Sequence, residues 1–299
     1  MKVFLTGSTG FVGSHTLRRL LAAGHSVNAL VRDSAKAKSL LQSAGCKYFP
    51  GDVVSSEGLD AAIQGCDAVI HLVGIIAEKG SNTFEAVHHV GTRNVVVAAQ
   101  RNGIGRFIHL SALGVRPDGV AAYQTSKWKG EEEVRSSGLE FCMLRPSLIF
   151  GPGDGFVTQM MDVMRKAPVV RPVPGNGSPL FRPIFIDDVT FCLEKALAEE
   201  AARNQTIELG GADELSLNEV LSEIARCAGI RKPALHIPMP LMLMVAAFAQ
   251  RFFPNPPVTV GQLRMLQEGS TCDIQPMMRI FQFRPHGFEG CGRKNRTSA

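Results

Sequence analysis

Tyr123 and Lys127 stand four residues apart in the run Tyr123-Gln-Thr-Ser-Lys127. On a helix that spacing puts both side chains on one face. An ammonium beside a phenol favours phenolate and draws its pKa down from about 10. The pair is therefore a candidate general acid/base for a proton that moves together with a hydride. Lys127 can also hold a ribose hydroxyl. Such pairs recur by chance on amphipathic helices, so the meaning rests on what surrounds them.

Near the start the chain reads Val3-Phe-Leu-Thr-Gly-Ser-Thr-Gly-Phe-Val-Gly13. An apolar strand runs into Gly7, Gly10 and Gly13, and a helix-like segment follows. Gly7 permits a tight turn, Gly10 leaves room for a pyrophosphate, and Gly13 lets helix and strand pack closely. The helix N-terminus offers free N–H groups to phosphate. Gly7, Ser8, Thr9, Gly10, Phe11, Val12 and Gly13 form the candidate dinucleotide turn. The end of the second strand reads Val31-Arg32-Asp33. A carboxylate there would suit the ribose 2′-hydroxyl of NAD, and an arginine the 2′-phosphate of NADP. Arg32, with Lys36 and Lys38 nearby, favours NADP(H) over NAD(H). Asp33 reads as a cap of the next helix.

These residues need elements to place them. Short apolar runs at 3–5, 27–31, 68–73, 107–110 and 141–144 read as strands buried on both faces. Helix-period segments at 14–23, 35–44, 57–63, 84–102 and 125–136 alternate with them, each followed by a glycine. The pattern predicts an α/β fold, a doubly wound parallel Rossmann sheet over residues 1–150. After 150 come GPGDG at 151–155 and a proline-rich stretch at 167–183, read as loops, then helices at 189–201 and 216–228. Ser216 and Glu219 have capping-box spacing. Residues 151–299 read as a smaller substrate lobe, partly interleaved with the first.

Composition narrows the classes. The chain has 299 residues, 45% hydrophobic, with a mean hydropathy of +0.07 and a formal charge of +5. A net +3 of that charge lies in residues 284–299, leaving a near-neutral body without the basic stripe of a nucleic-acid reader. Seven scattered cysteines include no CxxC pair, which argues against a metal or redox site and for a reducing compartment. The start of the chain has no signal-peptide pattern. The greasiest stretch, 237–249, has 13 residues, against about 20 for a membrane span. The expectation is a cytoplasmic protein, with peripheral membrane attachment left open.

Four motifs in order resemble the extended and atypical short-chain dehydrogenases/reductases, the epimerase/dehydratase-like group. They are TGxxGxxG from Thr6 to Gly13, Gly51-Asp52, the Tyr123–Lys127 run, and Arg145-Pro-Ser-Leu-Ile-Phe-Gly-Pro-Gly-Asp154. His109-Leu-Ser-Ala-Leu-Gly114, Gly130-Glu-Glu-Glu133, the run from Phe181 to Asp188, and the later IPMPL and GQLRMLQEGSTCD segments resemble one branch. That branch is the accessory subunit of respiratory complex I and its bacterial relatives. The resemblance implies tightly held NADP(H), with or without turnover. It implies that Asp52 and Val53 contact adenine, that Leu72, Val73 and Gly74 lie along the cofactor, and that Pro146, Ser147, Leu148 and Ile149 face the nicotinamide.

Two positions depart from the pattern. Ala112 stands where a catalytic Ser or Thr is usual, with Ser111 one residue early as the candidate hydroxyl. His88 stands where an asparagine is usual, and is counted with the cofactor residues. His71 and His109 read as hydrogen-bonded core histidines. Asp187 and Asp188 read as acids at a helix start. Arg182 is the candidate contact for an anionic substrate, with a structural ion pair the alternative. Three functions stay open. The first is an NADP(H)-dependent oxidoreductase acting through Tyr123 and Lys127 on a small, apolar molecule. The second is an NADPH-stabilised accessory factor of a respiratory or quinone-related complex. The third is a nucleotide-sugar epimerase/dehydratase. Oligomeric state is not legible.

Overall fold

The computed structural model describes residues 1–33, 37, 45–253, 256 and 258–288. In chain order the first elements are β1 (Lys2–Thr6), α1 (Phe11–Ala22), β2 (Ser26–Val31), β3 (Cys46–Pro50), α2 (Leu59–Ile63) and β4 (Ala68–His71). A π-helical stretch, Glu85–Val90, leads into α3 (Gly91–Arg101). Then come β5 (Arg106–Leu110), α4 (Ala122–Arg135), β6 (Glu140–Pro146), β7 (Ile149–Phe150), α5 (Gly155–Lys166), β8 (Arg171–Pro174), β9 (Leu180–Phe181) and β10 (Ile184–Phe185). The rest are α6 (Ile186–Lys195), β11 (Gln205–Leu209), β12 (Leu215–Ser216), α7 (Leu217–Cys227), β13 (Ala234–Ile237), α8 (Met239–Phe252), α9 (Val260–Glu268) and α10 (Gln275–Phe281).

The chain divides into two compact units. The first comprises Met1–Pro146, Asp187–Leu209 and Gln275–Phe283. Its seven-stranded sheet has the order β11-β6-β5-β4-β1-β2-β3, every neighbour parallel. The winding reverses between β1 and β4. A crevice outside the carboxyl ends of those strands is the expected ligand position of such a sheet. β4 and β5 are buried throughout, as their largely apolar runs require, and they take His71, Arg106 and His109 in with them. β3 is an edge strand, half-buried or exposed along its whole length, and its sequence shows no continuous run.

Local boundaries have local causes. The strand expected over 68–73 stops at His71, because the Leu72 amide turns away to donate to Thr6 Oγ1. The helix expected over 84–102 is split. Its first part is π-helical, where the Thr92 hydroxyl donates to the His88 carbonyl and competes with the ladder. α1 starts at Phe11 and α4 at Ala122, each three residues earlier than the periodicity placed them. The helix expected over 35–44, with Lys36 and Lys38, lies outside the described residues apart from Ala37. The Ala37 amide donates to the Asp33 carbonyl.

The second unit comprises Ser147–Ile186, Gly210–Ile274 and Arg284–Ala299. It holds three short strand pairs, β10 with β7, β12 with β9 and β13 with β8. The GPGDG loop starts a helix that periodicity missed, α5, whose N-cap Asp154 accepts the Val157 amide. The capping box of Ser216 and Glu219 is present on α7. The helix expected at 189–201 is α6, with Asp187 and Asp188 in its first turn. The described cysteines are free thiols. Cys291, Glu289 and the cations Arg293, Lys294 and Arg296 lie outside the described residues.

Candidate active site

Gly7 adopts φ +76°, and a Cβ there would press on the Leu72 carbonyl carbon at 3.0 Å. A Cβ on Gly13 would lie 2.0 Å from the Gly7 carbonyl oxygen, a distance no side chain tolerates. Gly13 therefore admits no side chain and Gly7 would be strained by one, so the turn stays narrow enough to point the start of α1 at the crevice. The Ser14 amide is the first to bond back, to the Gly10 carbonyl. The amides of Phe11, Val12 and Gly13 thus have no acceptor within their own helix, and no carboxylate stands in the first turn to compete for them. Such a helix start is suited to an anion. The Ser8 side chain is fully buried, and its Oγ has no partner among the described residues.

A cleft opens beside this turn. Its walls are Thr6, Gly7, Thr9 and Gly10, then Val31 and Arg32 from the end of β2, Asp52 and Val53 after β3, and Leu72, Val73 and Gly74 after β4. Asp52 is held in a tight turn, with its Oδ1 accepting the Val54 amide at 2.7 Å and its own amide donating to the Glu57 carbonyl. Arg32 is exposed at the rim and donates to Asn82 Oδ1 at 3.4 Å. A bare glycine cradle, a helix N-terminus and an adjoining cleft together fit a dinucleotide.

Lys127 is almost fully buried on α4. Its Nζ donates to the Leu110 carbonyl at 2.9 Å and lies 3.3 Å from where a Gly74 Cβ would stand. The ammonium thus lies behind Gly74, a wall of the cleft. Burial pulls its pKa down to about 8, against the opposing pull of the Glu131 carboxylate. Tyr123 sits on the same helix, edge-on to His88 at 5.3 Å and to Phe84 at 5.9 Å. Its phenol is not lowered as the spacing alone predicted. Burial pushes it up to about 12, because the phenolate would lose its surrounding water. Ser111 follows β5 directly. Its amide donates to the Leu144 carbonyl, and its buried Oγ has no partner among the described residues.

His88 is buried, and its protonation state can be read from its partners. The Ile75 amide donates to Nε2 at 3.0 Å, so that nitrogen carries no proton. Nδ1–H then donates to Ser126 Oγ at 2.9 Å, and the Ser126 hydroxyl donates to the Tyr123 carbonyl. Burial, with Lys127 nearby, lowers the imidazole to about 3 and keeps it neutral. His88 therefore fastens the loop after β4 to the turn of α4 that carries Tyr123. His71 makes a similar chain. The Leu72 amide donates to Thr6 Oγ1, the Thr6 hydroxyl to His71 Nδ1, and His71 Nε2–H to Thr92 Oγ1. His109 departs from expectation. It stacks on His71 at 5.4 Å, but neither ring nitrogen has a partner among the described residues.

Other sequence candidates have structural roles. Pro146 ends β6 and accepts the Leu113 amide at its carbonyl. In the second unit Ser147 donates to the Ser270 carbonyl, the Leu148 carbonyl accepts the Ile184 amide, and Ile149 pairs with Ile184. Arg182 pairs with Glu214 at 3.1 Å, and Thr271 also donates to that carboxylate. Sequence reasoning missed Ser126, Thr6, Thr92 and Glu131. The fully buried Glu131 carboxylate takes both arms of Arg145, at 2.8 and 2.5 Å. No cluster of potential metal ligands exists among the described residues.

A reversed parallel sheet, a glycine cradle at its switch point and a buried lysine beside the cleft define a dinucleotide-binding protein of the short-chain dehydrogenase/reductase type. The chain belongs to the NAD(P)H-binding family, whose sequence profile matches residues 7–165. It is 28% identical over 268 residues to a ceramide reductase of Caulobacter vibrioides, covering 87% of this chain and 81% of the relative. It is 28% identical over 256 residues to NADH dehydrogenase [ubiquinone] 1 alpha subcomplex subunit 9 of Arabidopsis thaliana, a mitochondrial protein. That match takes in 83% of this chain and 62% of the longer relative. The fold matches UDP-glucuronic acid 4-epimerase of Bacillus cereus, solved with UDP-glucuronic acid and NAD. The TM-score is 0.77 at 18% identity, over 97% of this chain and 96% of the other. No helix among the described residues is long and apolar enough to cross a membrane.

Proposed function

We propose that this protein is an NADPH-dependent reductase of a carbonyl on an apolar molecule, with Tyr123 as proton donor and Lys127 as its charged neighbour. The observation that carries the reading is the buried Lys127 ammonium at the Gly74 edge of the cleft. NADPH, when bound, supplies the hydride. The chain does the rest. Its phenol, raised to about 12, stays protonated at neutral pH and is ready to give a proton to a developing alkoxide. Lys127, with a pKa of about 8, is largely ammonium at that pH and stabilises the phenolate left behind. Ser111 Oγ, a buried hydroxyl with no described partner, donates to the carbonyl oxygen in place of the hydroxyl that Ala112 lacks. Arg32 at the rim takes the 2′-phosphate, and Asp52 and Val53 border the adenine. The name of the Caulobacter relative supports an apolar substrate.

Tyr123→Phe tests this. NADPH oxidation with long-chain ketone substrates should fall by about 10²-fold or more while NADPH binding persists. Turnover that survives the substitution removes Tyr123 from the chemistry.

A second reading, an NADPH-stabilised accessory subunit of a respiratory complex, is favoured by Ala112 at the usual hydroxyl position and by the Arabidopsis relative. It expects retained NADPH, no turnover, and migration with a membrane complex. The nucleotide-sugar reading has less support, since Arg182 is already engaged by Glu214.

A further inference from the structure

Helix α8 is apolar all round from Met239 to Ala249 yet lies at the surface. Its inward side consists of buried Ala246 flanked by half-buried Met239, Met242, Leu243 and Ala249. Its outward side presents Leu241, Met244, Val245, Phe248 and Phe252, with exposures from 46% to 63%, and Phe253 continues it. The spacing i, i+3, i+4, i+7, i+11 is one continuous helical stripe. Phe248 and Phe252 pack ring on ring at 4.5 Å and so form one aromatic ridge. Single exposed apolar residues are ordinary, whereas a contiguous stripe of this size marks something that covers it.

Charge narrows the occupant. Residues 224–267 contain Arg226, Arg231, Lys232, Arg251 and Arg264 and not one Asp or Glu. Arg226 is bound to Glu223, and the Lys232 ammonium caps the end of α5 through the Met164, Arg165 and Ala167 carbonyls. Arg231, Arg251 and Arg264 are exposed. Arg251 lies beside the aromatic ridge, its guanidinium 5.9 Å from the Phe252 ring. A second copy meeting this face through a two-fold axis would set the same cations against each other. A surface that is negative outside and apolar beneath suits both features. A helix of 14 residues is about 21 Å long, too short to span a bilayer but right for lying in its interface.

We propose that α8 is an interfacial anchor. Leu241, Met244, Val245, Phe248 and Phe252 enter the acyl boundary of an anionic membrane, and Arg231, Arg251 and Arg264 meet its headgroups. The anchor stands independently of the reductase reading.

Co-sedimentation of the full chain with vesicles tests it. The protein should pellet with phosphatidylglycerol/phosphatidylcholine vesicles, pellet poorly with phosphatidylcholine alone, and come off as salt rises. Phe248→Ser with Phe252→Ser should weaken binding by about tenfold or more. Both rings are exposed, so thermal melting and NADPH titration should stay unchanged. Charge reversal at Arg231, Arg251 and Arg264 should abolish the preference for anionic lipid while keeping the fold. No binding to anionic vesicles overturns the proposal, as does binding indifferent to lipid charge or to the serine substitutions. Self-association that the serine substitutions abolish, without vesicle binding, assigns the stripe to a second copy instead.

Discussion

The Lys127 ammonium donates to the Leu110 carbonyl at 2.9 Å, tying α4 to the end of β5. The same bond faces the ammonium toward the cleft edge at Gly74 and holds it out of water. Burial makes Lys127, not Tyr123, the group that titrates near physiological pH.

A pH dependence follows from that. Lys127 is charged below about 8 and neutral above it, whereas Tyr123 near 12 stays protonated through the accessible range. If the ammonium is needed, kcat/KM for NADPH should be level below pH 7 and fall above about 8. Lys127→Arg should remove that falling limb, since guanidinium does not titrate there. The Glu131 carboxylate, four residues on, favours the charged form. Glu131→Gln should therefore shift the limb to lower pH. The same change leaves the Arg145 guanidinium without its carboxylate, so it should also lower stability by about 3 kcal/mol, visible as a lower Tm. A limb that stays put in Glu131→Gln would detach it from Lys127.

Arg32 should set cofactor preference. It stands at the end of β2 with Val31 before it and no carboxylate at the strand tip. Charge-assisted bonds to a phosphate are worth about 1.5–3 kcal/mol. Arg32→Ala should then weaken NADPH binding by roughly ten- to a hundredfold and NADH binding little, as titration of each by protein fluorescence would read. Equal losses for both would place Arg32 against the adenine instead.

What the sequence made legible follows from what is local. β4 and β5 are written as largely apolar runs because both faces are buried, and Gly7 and Gly13 mark their turn because a side chain would be strained at the first and collide with backbone at the second. The edge strand β3 and the helix α5 after a glycine-rich loop carry weaker patterns. The π-helical stretch is followed by a side-chain bond from the Thr92 hydroxyl to the His88 carbonyl, a contact with no periodic signature. In the site, spacing places Tyr123 and Lys127 on one helix face, but burial decides which way each pKa moves. The Arg182–Glu214 and Glu131–Arg145 pairs join distant segments, so no local pattern announces them.

Acid should destabilise the fold through its buried imidazoles. His71 and His88 are held to about 3 and His109 well below its usual value, all by burial first. Unfolding returns each toward about 6.5, so the unfolded chain binds more protons between those limits. Stability is thus intact above about pH 6.5 and falls as pH drops toward 3. Each histidine contributes a slope of about 1.4 kcal/mol per pH unit. Denaturant midpoints measured from pH 7 to 4 would show the trend, and a flat profile would mean that these rings are hydrated.

His71, the last residue of β4, pairs in register with His109, one residue before the end of β5, but only His71 has hydroxyls on both sides. His109 keeps two buried ring nitrogens without described partners, stacked on His71. Replacing such a group by an apolar one of similar size removes a desolvation penalty of about 1–3 kcal/mol. His109→Leu should raise Tm and flatten the acid slope by one proton, whereas His71→Leu should lower stability, because Thr6 and Thr92 lose their shared partner. Tm values for both variants at pH 7 decide this. A loss in His109→Leu as large as that in His71→Leu would show that the His109 ring nitrogens are engaged after all.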